Sequence, residues 1–563
     1  IVVRALEDEG IPYTFGIPGT HNIELYDALA QSDKVRPVLV TDEQSASFMA
    51  DGFWRASGKL GCANLVPGAG LTHAMSGIAE AFLDNVPMLV LGCGIRRDTQ
   101  HAFQLHDVDQ SALAAPVTKA QVRPENGEQL YQMIRRACAI ARAGAPGPVF
   151  VEVPANLYLL QQETQLGYNE WIGETNPEPA ADALGNAVRS MKRPLIYAGF
   201  GAAGATELLR ELAERLEAPV ATTFTGKGVF PESHPLFLWP GFGDAAPAFV
   251  RDVVKQCDGT IAIGCRFGEV ATGSYGMTPP TPLVHIDIDP AALNRNFKSD
   301  LAVPLDAKRA LTAVLAKLPE TRPQNAELRA QIRRGHEGVW RDWEKQEQGR
   351  VAPPRLLRAL QHHFGPQAIF TADSGNGLFL GMECLRFDAP RQFLAPVDFS
   401  CMGYAIPAAI GAKLGRPEKP VVALAGDGAL LMTGLEMITA ATLQLPIVVV
   451  VLRDRELAQI AQFQQTALSR KTSSELGDYD ASALFHALGV QTLRLDRNED
   501  IESCLRDAGR IVASGKPVVI DVAIDYSQKT HFTKGVVKTN LLRLPWNDRL
   551  RFIGRALFRK LRP

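Results

Sequence analysis

Two acids in the run VVALAGDGALLMTGLEMITAATLQLPIVVVVLRD have the type and spacing for metal chemistry. The run reads as strand, Gly426-Asp427-Gly428, helix, then a second apolar strand ending at Arg453-Asp454. Both acids fall at the carboxyl ends of strands, where doubly wound sheets place ligands. Gly426 and Gly428 let the backbone come close to a charged group, and the following helix presents its positive N-terminus to an anion. Two carboxylates beside free backbone carbonyls suit a hard cation bridging to phosphate oxygens. Gly-Asp-Gly alone reads as a tight strand–helix turn. The second acid, one helix and one strand later, favours the cation. A third acid, Glu43, stands where the strand VRPVLVT gives way to the helical stretch SASFMADGFWRASG. Taken by itself it reads as an acid at a helix N-terminus.

These residues need a scaffold, and the rest of the chain supplies its pattern. Short apolar runs alternate with helical stretches, which predicts an α/β fold of parallel sheets flanked by helices. The runs are 38–40, 87–92, 149–153, 194–198, 220–223, 260–263, 284–288, 421–425, 447–452 and 518–522. Two polar, proline-bearing stretches, 161–181 and 318–354, interrupt the rhythm. They divide the chain into domains at 1–165, 180–320 and 355–525, followed by a basic tail, 526–563. At 563 residues, three or four folded units are expected. No internal repeat is visible.

Composition excludes several classes. Hydrophobic residues at 46% and charged residues at 21% describe an ordinary globular chain. A net charge of −2 leaves no global field for nucleic acid or membrane. The tail is different: from Lys529 onward ten Lys/Arg face one acid, Asp548. Eight scattered cysteines without a C-x-x-C motif read as buried thiols of a reducing, cytoplasmic setting. The longest apolar run, 445–452, is far short of a membrane span.

On these motifs the chain resembles the thiamine-diphosphate-dependent enzymes of the acetolactate synthase, pyruvate oxidase and 2-keto acid decarboxylase group. Their Gly-Asp-Gly is followed, a helix and a strand later, by Asn, where this chain has Asp454. Family members carry H-E-x-x-A-x-x-x-A-x-G-x-A-R where this chain reads DEQSASFMADGFWR. The resemblance extends from FGIPG at 15–19 to about residue 525. It implies that Asp427, Asp454 and the backbone carbonyl of Glu456 hold Mg²⁺ or Ca²⁺ against the cofactor diphosphate. It implies that Glu43 hydrogen-bonds the cofactor pyrimidine and so promotes loss of the C2 proton. Met402 matches the apolar wedge under the bent cofactor; core packing is its plainer reading. Asn376, Cys401, Gly426, Gly428, Ala429 and Leu457 complete the implied cofactor-binding set. Asp454 adds a negative charge beside a diphosphate, and Arg453 or Arg455 is expected to offset it.

The implied substrate side departs from the synthases. Thr20 and His21 stand where they have small residues, and His73 replaces the Asn of their GPGxTN segment. Thr20, His21, His73 and Gln104 join Glu43 as catalytic candidates. Phe103 and His106 in HAFQLHDVDQ, Lys119 in VTKA, and Gln459 and Phe463 in RELAQIAQFQ are expected pocket residues. Gln459 and Phe463 replace the synthases' Met and specificity Trp, which points to substrates other than two pyruvates. In the middle domain Gly199–Gly204 fits G-x-G-x-x-G, a weak signal when alone. In this family that domain holds FAD in synthases and oxidases and is empty in many decarboxylases and lyases, so FAD stays open. The tail spaces Leu550, Ile553, Leu557 and Leu561 between arginines. It reads as a strap over the subunit or as a helix lying on an anionic membrane surface.

The resemblance therefore implies a carboligase or lyase (transferase or lyase chemistry) or a decarboxylase. It would act on 2-keto acids, acyloins or aldehydes through a C2-bound carbanion or enamine, as a homodimer or homotetramer with no nucleic-acid partner. Two alternatives stay open: a membrane-associated flavin-dependent pyruvate oxidase, and a non-catalytic structural or regulatory paralogue.

Overall fold

The computed structural model describes residues 1–168, 181–318, 321–345 and 349–561. The first expected linker, 161–181, lies largely outside them. Among the described residues, three six-stranded parallel sheets follow one another along the chain. All ten apolar runs named above overlap strands. Met88–Gly94 and Pro148–Pro154 are buried at every position. That explains why Met88–Gly94 reads as a continuous apolar run and Pro148–Pro154 as one broken only by Glu152, a buried acid paired with Arg97 and Arg123, since a sheet covered on both faces leaves no polar alternation. Shorter or less apolar strands, such as Tyr13–Gly16 and Gln491–Leu495, carry no such run.

The first sheet runs in the order Arg36–Leu39, Tyr13–Gly16, Gly61–Leu65, Met88–Gly94, Pro148–Pro154, Ala120–Val122. The third runs Phe393–Leu394, Ile369–Ala372, Val421–Gly426, Ile447–Arg453, Val518–Ala523, Gln491–Leu495. Counted within each sheet, both orders are 2-1-3-4-6-5. The chain thus contains a structural repeat that its sequence does not reveal. The middle sheet has the doubly wound order 3-2-1-4-5-6.

Outer domains meet through the helices Glu43–Ser57 and Ala405–Gly415. A Cβ on Gly52 would lie 2.4 Å from the Ala408 carbonyl oxygen, and one on Gly411 would lie 2.1 Å from that of Met49. The two backbones touch, and only glycine permits it. Beside this crossing, buried Arg55 donates to Asp51 at 2.6 Å and to Asp84 at 2.8 Å, and the Tyr404 hydroxyl donates to Asp51.

The tail forms two helices, His531–Arg543 and Trp546–Leu561. Phe532 stacks 4.5 Å from Phe379 and packs 4.8 Å from Phe224, tying the first helix to both neighbouring domains. Ser469, which ends the helix Ala458–Leu468, donates to the Ala556 carbonyl at 3.1 Å, so the second tail helix lies along that element. This is the strap geometry, although Leu550, Ile553 and Leu557 stay exposed. No helix among the described residues is long and apolar enough to cross a membrane. All eight cysteines are free, seven of them buried.

Candidate active site

In the third sheet the strand order reverses between Ile369–Ala372 and Val421–Gly426. Loops leaving the carboxyl ends of those two strands therefore diverge and open a crevice. It is lined by Asp373–Gly377, Met402, Gly426–Ala429, Leu452, Asp454, Glu456–Ile460 and Tyr526. Two helices start there. Asn376–Cys384 begins after Gly375, whose φ of +110° suits glycine alone, and Asp427–Thr433 begins after Gly426. Both point their positive ends at the crevice. The Asn376 Nδ2 group is buried with no partner among the described residues. An orphan donor of this kind at a helix start marks a place for an acceptor.

Asp427 is 2% exposed, and its two carboxylate oxygens accept from the backbone N–H of Gly428 at 2.9 Å and of Arg455 at 2.7 Å. Asp454 accepts from Glu456 N at 3.2 Å. Burial raises the pKa of Asp427 against those backbone donors. Asp454 is pushed up to about 7, by burial first and then by the Asp427 charge. A buried and a partly buried carboxylate that raise each other's proton affinity suit a bridging cation.

The arginines expected to supply one do not. Arg453 forks onto Asp521 of the adjacent strand, with both bonds at 2.7 Å, and the Arg455 guanidinium reaches Asp478 at 2.9 Å. The expectation fails because side chains alternate along a strand. Arg453 is drawn to a neighbour that only the strand order reveals, and Asp454 is left without a cationic side-chain partner among the described residues.

Glu43 opens the helix Glu43–Ser57, which follows the strand Arg36–Leu39 of the first sheet. The helix cap expected of it is made instead by Asp42, whose Oδ1 accepts from Gln44 N at 2.8 Å. Glu43 is 8% exposed and makes no capping bond. Its Oε2 lies 3.8 Å from His73 Nδ1. His21 and His106 meet edge to face at 5.4 Å, and the His21 pKa is lowered, by burial first and His106 second. Thr20 Oγ1 lies 3.2 Å from His21 Nδ1. Phe103 and Gln104 share the exposed loop of His106; the Phe103 ring is fully in solvent, and Gln104 donates to the Arg96 carbonyl.

Within one chain the candidates thus form two groups. Thr20, His21, Glu43, His73, Phe103, Gln104 and His106 gather at the carboxyl edge of the first sheet. Asn376, Met402, Gly426, Asp427, Gly428, Ala429, Asp454, Glu456, Leu457 and Gln459 line the crevice of the third. Phe463 lies one turn beyond Gln459 on the same helix face.

Two expectations are corrected. Lys119 precedes the strand Ala120–Val122, at the opposite edge of the sheet, and its ammonium donates to the Ile140 and Ala143 carbonyls at a helix end. Cys401 faces away from the crevice: its thiol donates to the Ser76 carbonyl and its N–H to Glu80 across the junction of the outer domains. Sequence reasoning missed Asp373, Ser374, Gly375, Gly377, Leu452, Ala458, Ile460 and Tyr526. The run Asp373-Ser374-Gly375-Asn376-Gly377, placed directly after a strand, carried the same strand–glycine–helix signal as Gly426–Gly428.

At the reversal point of the middle sheet a second cavity opens, lined by Gly201, Gly204, Gly264, Gly268, Arg266, Arg391, five aspartates and residues of both outer domains. Gly199 and Gly201 of the G-x-G-x-x-G stretch let the backbone pass against Gly264.

Three parallel domains in this order, with an acid-lined crevice between two helix starts, define a class of cofactor-binding α/β enzyme. Residues 1–113, 181–314 and 373–522 match the N-terminal, central and C-terminal domain models of thiamine pyrophosphate enzymes. The chain is 32% identical to the probable acetolactate synthase large subunit of Methanocaldococcus jannaschii, over 93% of this chain and 91% of that protein. It is 31% identical to the acetolactate synthase of Mycobacterium bovis, over 93% and 87%, and 28% identical to acetolactate synthase isozyme 3 large subunit of Escherichia coli, over 94% and 95%. The chain belongs to the thiamine-pyrophosphate-dependent enzymes, in their acetolactate-synthase-like branch. The residues present fit that cofactor's diphosphate: two helix starts, an orphan amide donor and a carboxylate pair suited to a bridging cation.

Proposed function

We propose that this protein is a thiamine-diphosphate- and Mg²⁺-dependent carboligase or lyase that handles small 2-keto acids, acyloins or aldehydes, working as a homodimer or a dimer of dimers in the cytoplasm. The observation that carries the reading is the crevice at the reversal point of the third sheet, where Asp427, Asp454 and Asn376 converge. When bound, the cofactor supplies a ring carbon that adds to a carbonyl and holds the electron pair of a cleaved carbon–carbon bond. Asp427, Asp454 and the Glu456 carbonyl would hold the cation, and Asn376 and the two helix starts the diphosphate. Glu43, buried and free of capping duty, would hydrogen-bond the pyrimidine nitrogen.

Glu43 does not line that crevice, so one chain does not complete the site. A second copy supplies the missing half. In support, the helical segment that follows Asp427 leaves Leu431, Met432, Leu435 and Ile438 exposed, and Leu39 beside them is 63% exposed. Glu436 ties this segment to Thr41, two residues before Glu43, through the Thr41 N–H and hydroxyl. An apolar patch between the two half-sites suits a twofold contact.

The relatives' names point to carbon–carbon bond formation between keto acids, and Gln459 and Phe463 to a different acceptor. The test is a panel of 2-keto acid donors with aldehyde and keto acid acceptors, assayed with thiamine diphosphate and Mg²⁺. Turnover of at least one donor that is abolished in Glu43→Gln supports the proposal. A wild-type protein that binds the cofactor but neither exchanges its C2 proton nor turns over any donor contradicts it. Flavin in the central cavity would show as yellow colour in the purified protein, and the proposal stands with or without it.

A further inference from the structure

Asp42, Glu43 and His73 bring their polar atoms within 4.8 Å of one another. Asp42 is doubly anchored: Oδ1 caps the helix through Gln44 N, and Oδ2 lies 3.1 Å from His73 Nδ1. A carboxylate fixed against Nδ1 keeps the proton on that nitrogen, so Nε2 is left as the basic atom that takes or gives a proton. His73 is 58% exposed, on the edge that the second copy would cover. This chain therefore holds an acid and a histidine in direct contact beside Glu43.

We propose that Asp42 is a positioning residue that orients His73 as an acid–base group for a carbonyl substrate; this rests on the function proposed above. As the carbonyl carbon of an aldehyde or keto acid gains a carbon–carbon bond, its π electron pair moves to oxygen. Imidazolium Nε2–H gives that oxygen its proton, and water reprotonates the ring. In the reverse direction neutral Nε2 removes the hydroxyl proton of an acyloin.

The test uses the full-length enzyme saturated with thiamine diphosphate and Mg²⁺, with its best donor and acceptor. Asp42→Asn keeps the helix cap, since Asn caps as well as Asp. It and His73→Asn should each lower kcat about tenfold or more. KM, cofactor affinity and the rate of cofactor C2 proton exchange, followed by NMR, should stay within about threefold. Added imidazole should restore His73→Ala. A kcat within about twofold of wild type in both variants, or no rescue by imidazole, overturns the inference. So does exchange falling in step with kcat, which would place the pair in service of Glu43 instead. If the unsubstituted enzyme shows no exchange, the underlying function fails, and this inference with it.

Discussion

Asp42 caps its helix and thereby leaves Glu43, one residue on, free for chemistry. Neighbouring acids at a strand end take different roles because only one of them faces the helix N–H groups. Arg453 teaches the converse. It is 12% exposed and forked onto Asp521, itself 6% exposed. Arg453→Ala would leave that carboxylate buried and unpaired, which costs about 3–5 kcal/mol of stability. Denaturant unfolding should show the loss, while cofactor affinity measured below the transition should change little. A large loss of cofactor affinity at unchanged stability would return Arg453 to the role its sequence position suggested. At this scale the sequence was legible where one motif carries its own chemistry. Gly426-Asp427-Gly428 and Asp454 land in one crevice. It was illegible where a side chain chooses a partner across strands, as Arg453 does, or across domains, as Cys401 does with Ser76 and Glu80.

The crossing of the helices Glu43–Ser57 and Ala405–Gly415 fixes the two outer domains to each other, and it depends on close backbone approach at Gly52 and Gly411. Gly411→Ala would place a methyl against the Met49 carbonyl, and relieving the clash costs about 1–3 kcal/mol. A lowered melting temperature with the same cofactor stoichiometry is the expected result; an unchanged one would mean the crossing can spread freely. The elements themselves were largely readable, because strands buried on both faces announce themselves as apolar runs. The shared order of the first and third sheets was not. Topology depends on which strands pair, and two sheets of one order need share no residues.

For the whole molecule, Glu383 links the tail to the third domain. It is buried, accepts from Phe532 N at 3.0 Å, and burial pushes its pKa up to about 8. The folded state therefore holds a proton that the unfolded chain releases near its ordinary value of 4.5. Stability from this group is full below that value and is lost as pH rises towards about 8. Melting temperature should fall across that window, and the fall should be smaller in Glu383→Gln. An equal slope in both proteins would show that Glu383 is already ionised in the fold.

The central claim is that Asp427 and Glu43 act in one site from two copies of the chain. Co-expressing Glu43→Gln with Asp427→Asn tests it, because mixed dimers of two inactive chains rebuild one intact site in two. With random pairing, cofactor C2 proton exchange should return to about a quarter of the wild-type rate. Mixed dimers that form, as judged by differently tagged chains, yet exchange no faster than either variant alone would contradict the account.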